Sequence, residues 1–189
     1  ASTASEIGFP AGVLNILQGV GDTVGAAMVG HPNIKAISFT GSTKVGGEIA
    51  LTCAKQFKKV TLEMGGKNPA LVFADAPDHA ILDLVRACFQ NSGQICLCVS
   101  RILIERSIYE RFKEEFVNAV NLLLVGAPET ESVQVGPVIS KTHFNKVMSY
   151  IEMAKEEGAT ILCGGDALPL QDDYSEGSFI APTVIEGLS

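Results

Sequence analysis

The stretch "IKAISFTGSTKVGGEIALTCAKQF", Ile34–Phe57, joins three kinds of sequence in one run. Ile34–Phe39 is short and β-rich, and it reads as a buried strand. It passes directly into a turn of Gly, Ser and Thr, Thr40–Gly47. Beyond the turn, Ile49, Ala50, Cys53, Ala54 and Phe57 recur at helical spacing and predict one apolar helix face. Strand, turn and amphipathic helix in that order are the building unit of an α/β fold.

The same alternation continues outward. "KKVTLEM" (Lys58–Met64) and "PALVF" (Pro69–Phe73) read as strands broken by Gly65–Gly66, the one plausible seam between domains. "DHAILDLVRACFQ" (Asp78–Gln90) reads as a helix, with Asp75 and Asp78 near its start, where acids suit the helix dipole. "VSRILIE" (Val99–Glu105) is a strand, followed by a helix from Ser107 to Leu123 whose buried side is Ile108, Phe112, Phe116 and Ala119. A further helix is expected from Ser140, its N-cap, to Gly158, its stop. "TILCGG" (Thr160–Gly165) and "SFIAPTVI" (Ser178–Ile185) predict two more strands, and "GDALPLQDDYSEG" (Gly165–Gly177) an exposed loop. There is no internal repeat.

Bulk properties exclude several function classes. The net charge is −7 and no basic cluster exceeds "KQFKK" at Lys55–Lys59, so nucleic acid and acidic membrane surfaces are not expected partners. No apolar run approaches the roughly 18 residues of a membrane span, and no signal peptide is expected. Five cysteines, odd in number and irregularly spaced, do not suit a disulfide framework and imply reduced thiols in a cytoplasmic setting. Cys53, Cys88 and Cys163 lie among apolar or small residues, where a thiol packs as a small hydrophobe.

Three motifs carry candidate chemistry. In "FTGSTKVG" (Phe39–Gly46), glycines and a Ser-Thr pair precede a helix, so the turn serves equally as a plain strand–helix connection or as a cradle for pyrophosphate. It is neither a Walker A loop nor G-x-G-x-x-G. In "VTLEMGGKNPA" (Val60–Ala70), Glu63 ends a strand just before a Gly-Gly break, as a crevice carboxylate or a solvated strand-end acid. In "QNSGQICLCVSR" (Gln90–Arg101), Cys96 follows a turn as a nucleophile, half of a metal site or a packed thiol. The C-x-C spacing is poor for zinc, and a vicinal disulfide is not expected, since adjacent strand side chains point to opposite faces. His31, His79 and His143 read as surface residues rather than partners for a thiol.

Taken together and in order, "FPAGVLNILQG", "FTGSTKVG", "LEMGGKNPALVFADA", "GQICLCVSR", "GPVISKTHFNKV" and "GSFIAPTVI" resemble the signature stretches of the aldehyde dehydrogenase superfamily over essentially the whole chain. Within it, "GQICLCVSR" is most similar to the branch acting on 2-aminomuconic and hydroxymuconic semialdehydes. The resemblance implies an α/β fold in which residues 1–64 are the C-terminal part of a Rossmann-type NAD(P)-binding domain. Residues 65–189 would then be most of an α/β catalytic domain, incomplete at its C-terminus.

The resemblance also implies roles. Cys96 is the nucleophile that forms a thiohemiacetal and then a thioester, a task for which a thiolate is suited. Its backbone N–H supplies half of an oxyanion hole. Glu63 is the base for the hydrolytic water, with partial burial making the carboxylate more basic. Gly41, Ser42, Thr43, Lys44 and Gly46 form the dinucleotide turn, Thr40 and Gly65 flank the nicotinamide, and Gly21 and Val45 lie near the adenine end. Ile95 and Leu97 help line the substrate tunnel. The cofactor is NAD, with NADP left open, the substrate a small aldehyde, and no metal is required. A homodimer or homotetramer is the implied assembly. Nothing in the chain matches the family's oxyanion-hole asparagine, ribose-binding lysine or E-x-F-G-P glutamate, so an internal fragment, inactive alone, is expected. Two other outcomes compatible with the resemblance are a catalytically silent, crystallin-like structural protein and a coenzyme A-acylating semialdehyde dehydrogenase.

Overall fold

The structure, a computed structural model, describes residues 2–170 and 174–188. Residues 171–173, within the loop expected to be exposed, lie outside the described residues. The chain divides into two compact units, Ala1–Gly65 and Gly66–Ser189.

The first unit opens with the short helices α1 (Ser2–Glu6) and α2 (Ala26–Gly30), the second led in by a π-helical turn, Gly21–Gly25. Strand β1 (Ala36–Gly41), helix α3 (Thr43–Lys55) and strand β2 (Lys59–Met64) follow. β1 and β2 are parallel, in register from Ala36 opposite Lys59 to Gly41 opposite Met64. Parallel neighbours need a crossover, and α3 supplies it, packing on both strands.

Two expectations for this unit are corrected. The strand starts two residues later than the β-rich run, and it is not buried: only Ile37 and Phe39 are half-buried. A two-stranded sheet covered by one helix shields alternate residues only. On α3 the buried face is Gly46, Ile49 and Cys53, whereas Ala54 is exposed and Phe57 is 97% exposed. Phe57 has left the helix: at φ +52° it turns the chain back, and the Lys58 N–H closes the helix end on Cys53 O at 3.0 Å.

The second unit repeats the plan. β3 (Asn68–Val72) and β4 (Val99–Ile104) are parallel, joined through α4 (Ala80–Phe89). Val72, Val85, Phe112, Phe116 and Val120 form its core, with Ile102, Ile104 and Cys88 packed against it. α5 (Tyr109–Asn121) is shorter than expected, because Arg106–Ile108 form a separate 3-10 turn. Val120, unmarked by the sequence pattern, is buried, while Ala119 is half-buried. α6 (Lys141–Glu156) starts at Ser140, whose Oγ accepts the His143 N–H at 3.1 Å, and Gly158 follows it at φ +88°. β5 (Thr160–Cys163) pairs antiparallel with β6 (Val184–Glu186). The expected strand Ser178–Ile185 survives only in its last residues: Pro182 has no N–H to give a ladder, and upstream, among the described residues, only the single bridge Ala167–Ile180 forms. Among the described residues no helix is long and apolar enough to cross a membrane.

Candidate active site

In the first unit the strand register decides which candidates meet. Thr40 lies opposite Glu63 and Gly41 opposite Met64, so the Thr40–Gly46 turn and Glu63–Gly65 share the C-terminal edge of the parallel pair. That edge is where open α/β sheets take ligands. Ser42 caps α3, its Oγ accepting the Val45 N–H at 3.3 Å. Helix geometry leaves the first-turn N–H groups of Thr43 and Lys44 without partners inside the helix, and Ser42, Thr43, Lys44 and Val45 are all exposed.

The glycines of the turn have packing reasons of their own. A Cβ on Gly46 would stand 2.6 Å from Met64 Sδ, and one on Gly41 would stand 2.4 Å from the Phe39 ring. Gly65 faces open space. Gly21 is on a separate element, opening the π-helical turn, and is exposed. Glu63 is exposed as well, so the partial burial expected of a base is not present in this chain.

Cys96 belongs to the second unit. After α4 the backbone enters the left-handed region at Asn91 (φ +51°), Ser92 (φ +56°) and Gly93 (φ +71°), which reverses it sharply. Side chains hold the loop that follows. Ser92 Oγ donates to Gly136 O at 2.8 Å, Gln94 Oε1 accepts the Ile139 N–H at 3.1 Å, and Gln94 Nε2 donates to Asn91 O at 3.2 Å. From the neighbouring strand, Asn68 Nδ2 donates to Cys96 O at 2.7 Å and Cys98 O at 3.1 Å.

The two cysteines are therefore in a turn, not in a strand, because β4 begins only at Val99. The Cys98 N–H bonds Ile95 O at 3.0 Å; the alternation of adjacent strand side chains does not bear on this pair, which is two residues apart and lies outside any strand. Their environments still differ. Cys96 is exposed beside Leu97, itself 79% exposed, whereas Cys98 is half-buried with its thiol directed to Gln90 O at 3.5 Å. All five cysteines are free thiols. Burial, with the nearby Cys98 as a lesser cause, pushes the Cys88 thiol up to about 11, and burial also raises that of Cys163. Cys53 is fully buried. Among the described residues no three His, Cys, Asp or Glu side chains gather as a metal site.

His31 and His79 are exposed as expected, whereas His143, in the first turn of α6, is half-buried. His31 Nδ1 accepts the Asn33 N–H, and His79 pairs with Asp83 at 3.6 Å. Asn68, Ser92 and Gln94 are the residues that sequence reasoning missed. The only signal for Asn68 was its place immediately before Pro69, at the head of a strand.

The aldehyde dehydrogenase family profile matches residues 1–189, the whole chain. The chain belongs to the aldehyde dehydrogenase family. Among similar proteins, 2-aminomuconic 6-semialdehyde dehydrogenase of Pseudomonas sp is 42% identical over 100% of this chain and 39% of its own length. Bovine (Bos taurus) 2-aminomuconic semialdehyde dehydrogenase is 48% identical over 95% of this chain and 38% of its own. Of the solved structures, HpcC from Thermus thermophilus superposes with TM-score 0.93 at 37% identity, covering 99% of this chain and 37% of that one. Betaine aldehyde dehydrogenase from Staphylococcus aureus, solved in complex with NAD+, gives TM-score 0.89 at 38% identity, covering 97% and 36%. The α/β, aldehyde dehydrogenase-like fold is thereby shown. This family member spans less than two fifths of the length of the curated relatives named here.

Proposed function

We propose that this chain is the part of an NAD+-dependent aldehyde dehydrogenase that carries the nucleophile, Cys96, the base, Glu63, and the coenzyme turn. Residues 1–64 are read as the end of the NAD(P)-binding domain and 65–189 as the thiol-bearing catalytic domain. The observation that carries the reading is the exposed Cys96 thiol in a turn braced from Asn68, Ser92 and Gln94, while Cys53 and Cys88 are withdrawn into packing. Family membership over the whole chain and the names of the semialdehyde dehydrogenases above support an aldehyde, of the muconic semialdehyde type, as substrate. Five free thiols accord with a reducing compartment.

NAD+ fits the residues present. The exposed N-terminal turn of α3 offers the N–H groups of Thr43 and Lys44 to a pyrophosphate. Thr40 and Gly65 stand at the same strand edge as Glu63, with open space around Gly65. When bound, the coenzyme supplies a two-electron acceptor. The chain's own part begins with the Cys96 thiolate attacking the aldehyde carbon. The Cys96 N–H steadies the charge that develops on the carbonyl oxygen. Once the aldehyde C–H has been given up to that acceptor, the acyl group would rest on Cys96 Sγ as a thioester, and Glu63 is read as the base for the water that would release the acid.

The test is peptide mapping and intact mass of the chain after brief exposure to a limiting aldehyde-mimicking electrophile, with and without NAD+. A single label at Cys96 that changes with NAD+ is expected. Labels spread over all five cysteines and indifferent to NAD+ would remove the assignment.

A further inference from the structure

The peptide groups on both sides of Cys96 are held. On its N-terminal side the Cys98 N–H donates to Ile95 O at 3.0 Å, which points the Ile95 carbonyl into the turn. In a trans peptide the following N–H points the opposite way, so the Cys96 N–H is directed out of the turn. On its C-terminal side Asn68 Nδ2 donates to Cys96 O at 2.7 Å and, with its other proton, to Cys98 O at 3.1 Å. A primary amide nitrogen carries two N–H donors, and both are used here. Serine would offer one donor. Aspartate would offer none and would set a carboxylate against two carbonyl oxygens.

Asn68 is half-buried at the head of β3, beside Pro69, where the ladder to β4 shifts register. It thus ties a loop that has no regular structure to a strand of the unit's core sheet. We infer that Asn68 is a positioning residue for Cys96, its amide clamping the turn so that the thiol and the outward Cys96 N–H face the same carbonyl substrate. This rests on the reading of Cys96 as the nucleophile.

The experiment compares two reactions of the chain, resolved cysteine by cysteine. In the first, p-nitrophenyl acetate acetylates the thiol: the sulfur bonds the acetyl carbon, p-nitrophenolate leaves and the thiol proton passes to solvent. That path builds negative charge on a carbonyl oxygen. In the second, iodoacetamide alkylates the thiol with loss of iodide and builds no such charge.

In Asn68→Asp and Asn68→Ser, acetylation of Cys96 is expected to fall roughly 10- to 100-fold, up to the scale of a misplaced group and below the about 10²–10³-fold loss of a donor removed outright, while alkylation falls less than about threefold. Asn68→Ser serves should the aspartate variant fail to fold. Acetylation within about threefold of the unsubstituted chain would overturn the inference. So would an equal fall in both reactions, which would mark a merely structural role. If the unsubstituted chain acetylates Cys96 no faster than Cys98, the nucleophile assignment itself falls and takes the inference with it.

Discussion

Lys58 offers the sharpest test of what holds the first unit together. It is only 8% exposed, and its ammonium donates to Val29 O and to His31 O, the latter at 2.8 Å. Those carbonyls close the C-terminal end of α2, where a cation is favoured by the helix dipole. In Lys58→Met the unbranched stem remains and both bonds go. A hydrogen bond to a charged group contributes about 1.5–3 kcal/mol net. His31 is exposed, so water can partly satisfy what is left. A loss of about 2 kcal/mol from the first unit is expected. Since two units need not unfold together, the assay is native-state hydrogen exchange resolved by residue. Slowly exchanging amides of the β1–β2 ladder should open about 30-fold more often, while those of β3 and β4 keep their protection. A change below about threefold, or an equal change in both units, would refute the reasoning.

Two further outcomes follow from the thiols and the acids. Because burial pushes Cys88 to about 11 from an ordinary 9.0, its alkylation at pH 8 should be roughly 100-fold slower in the folded chain than in urea. A ratio under about fivefold would contradict the burial of that thiol. The Glu186 carboxyl is held below its ordinary 4.5, first by the Tyr109 O–H and then by Lys113. A carboxyl depressed on folding stabilises the protein above pH 4.5, and the contribution is lost as pH falls below that value. Tyr109→Phe should therefore melt below the unsubstituted chain at neutral pH, with the gap narrowing as the pH is taken down below 4.5. A gap that does not depend on pH would show that the hydrogen bond does not act through the carboxylate.

Elements with a strong local code were legible in advance. Ser140 and Gly158 bracket α6 because a cap oxygen and a left-handed glycine are local requirements. The strand–turn–helix of Ile34–Phe57 was legible for the same reason, through the change of hydrophobic period at Gly41–Ser42. Its ends were not. Phe57 looked like the next turn of the helix face, and only the path of the returning chain put it in solvent. Ser178–Ile185 had the composition of a strand but entered a ladder at Val184–Ile185, with a single bridge from Ile180 to Ala167 upstream.

The candidate site divides in the same way. The ordered motifs, read as a set, were enough to give the family, the α/β class and the residues worth naming, since each motif is contiguous and its chemistry belongs to its residue types. What tertiary structure decided was adjacency and exposure. The parallel register put Thr40 opposite Glu63, burial withdrew Cys88 while leaving Cys96 open, and Asn68 reached across 28 positions to hold the Cys96 turn. No local pattern encodes such pairings, because they arise from strands that meet only after the chain has crossed over a helix.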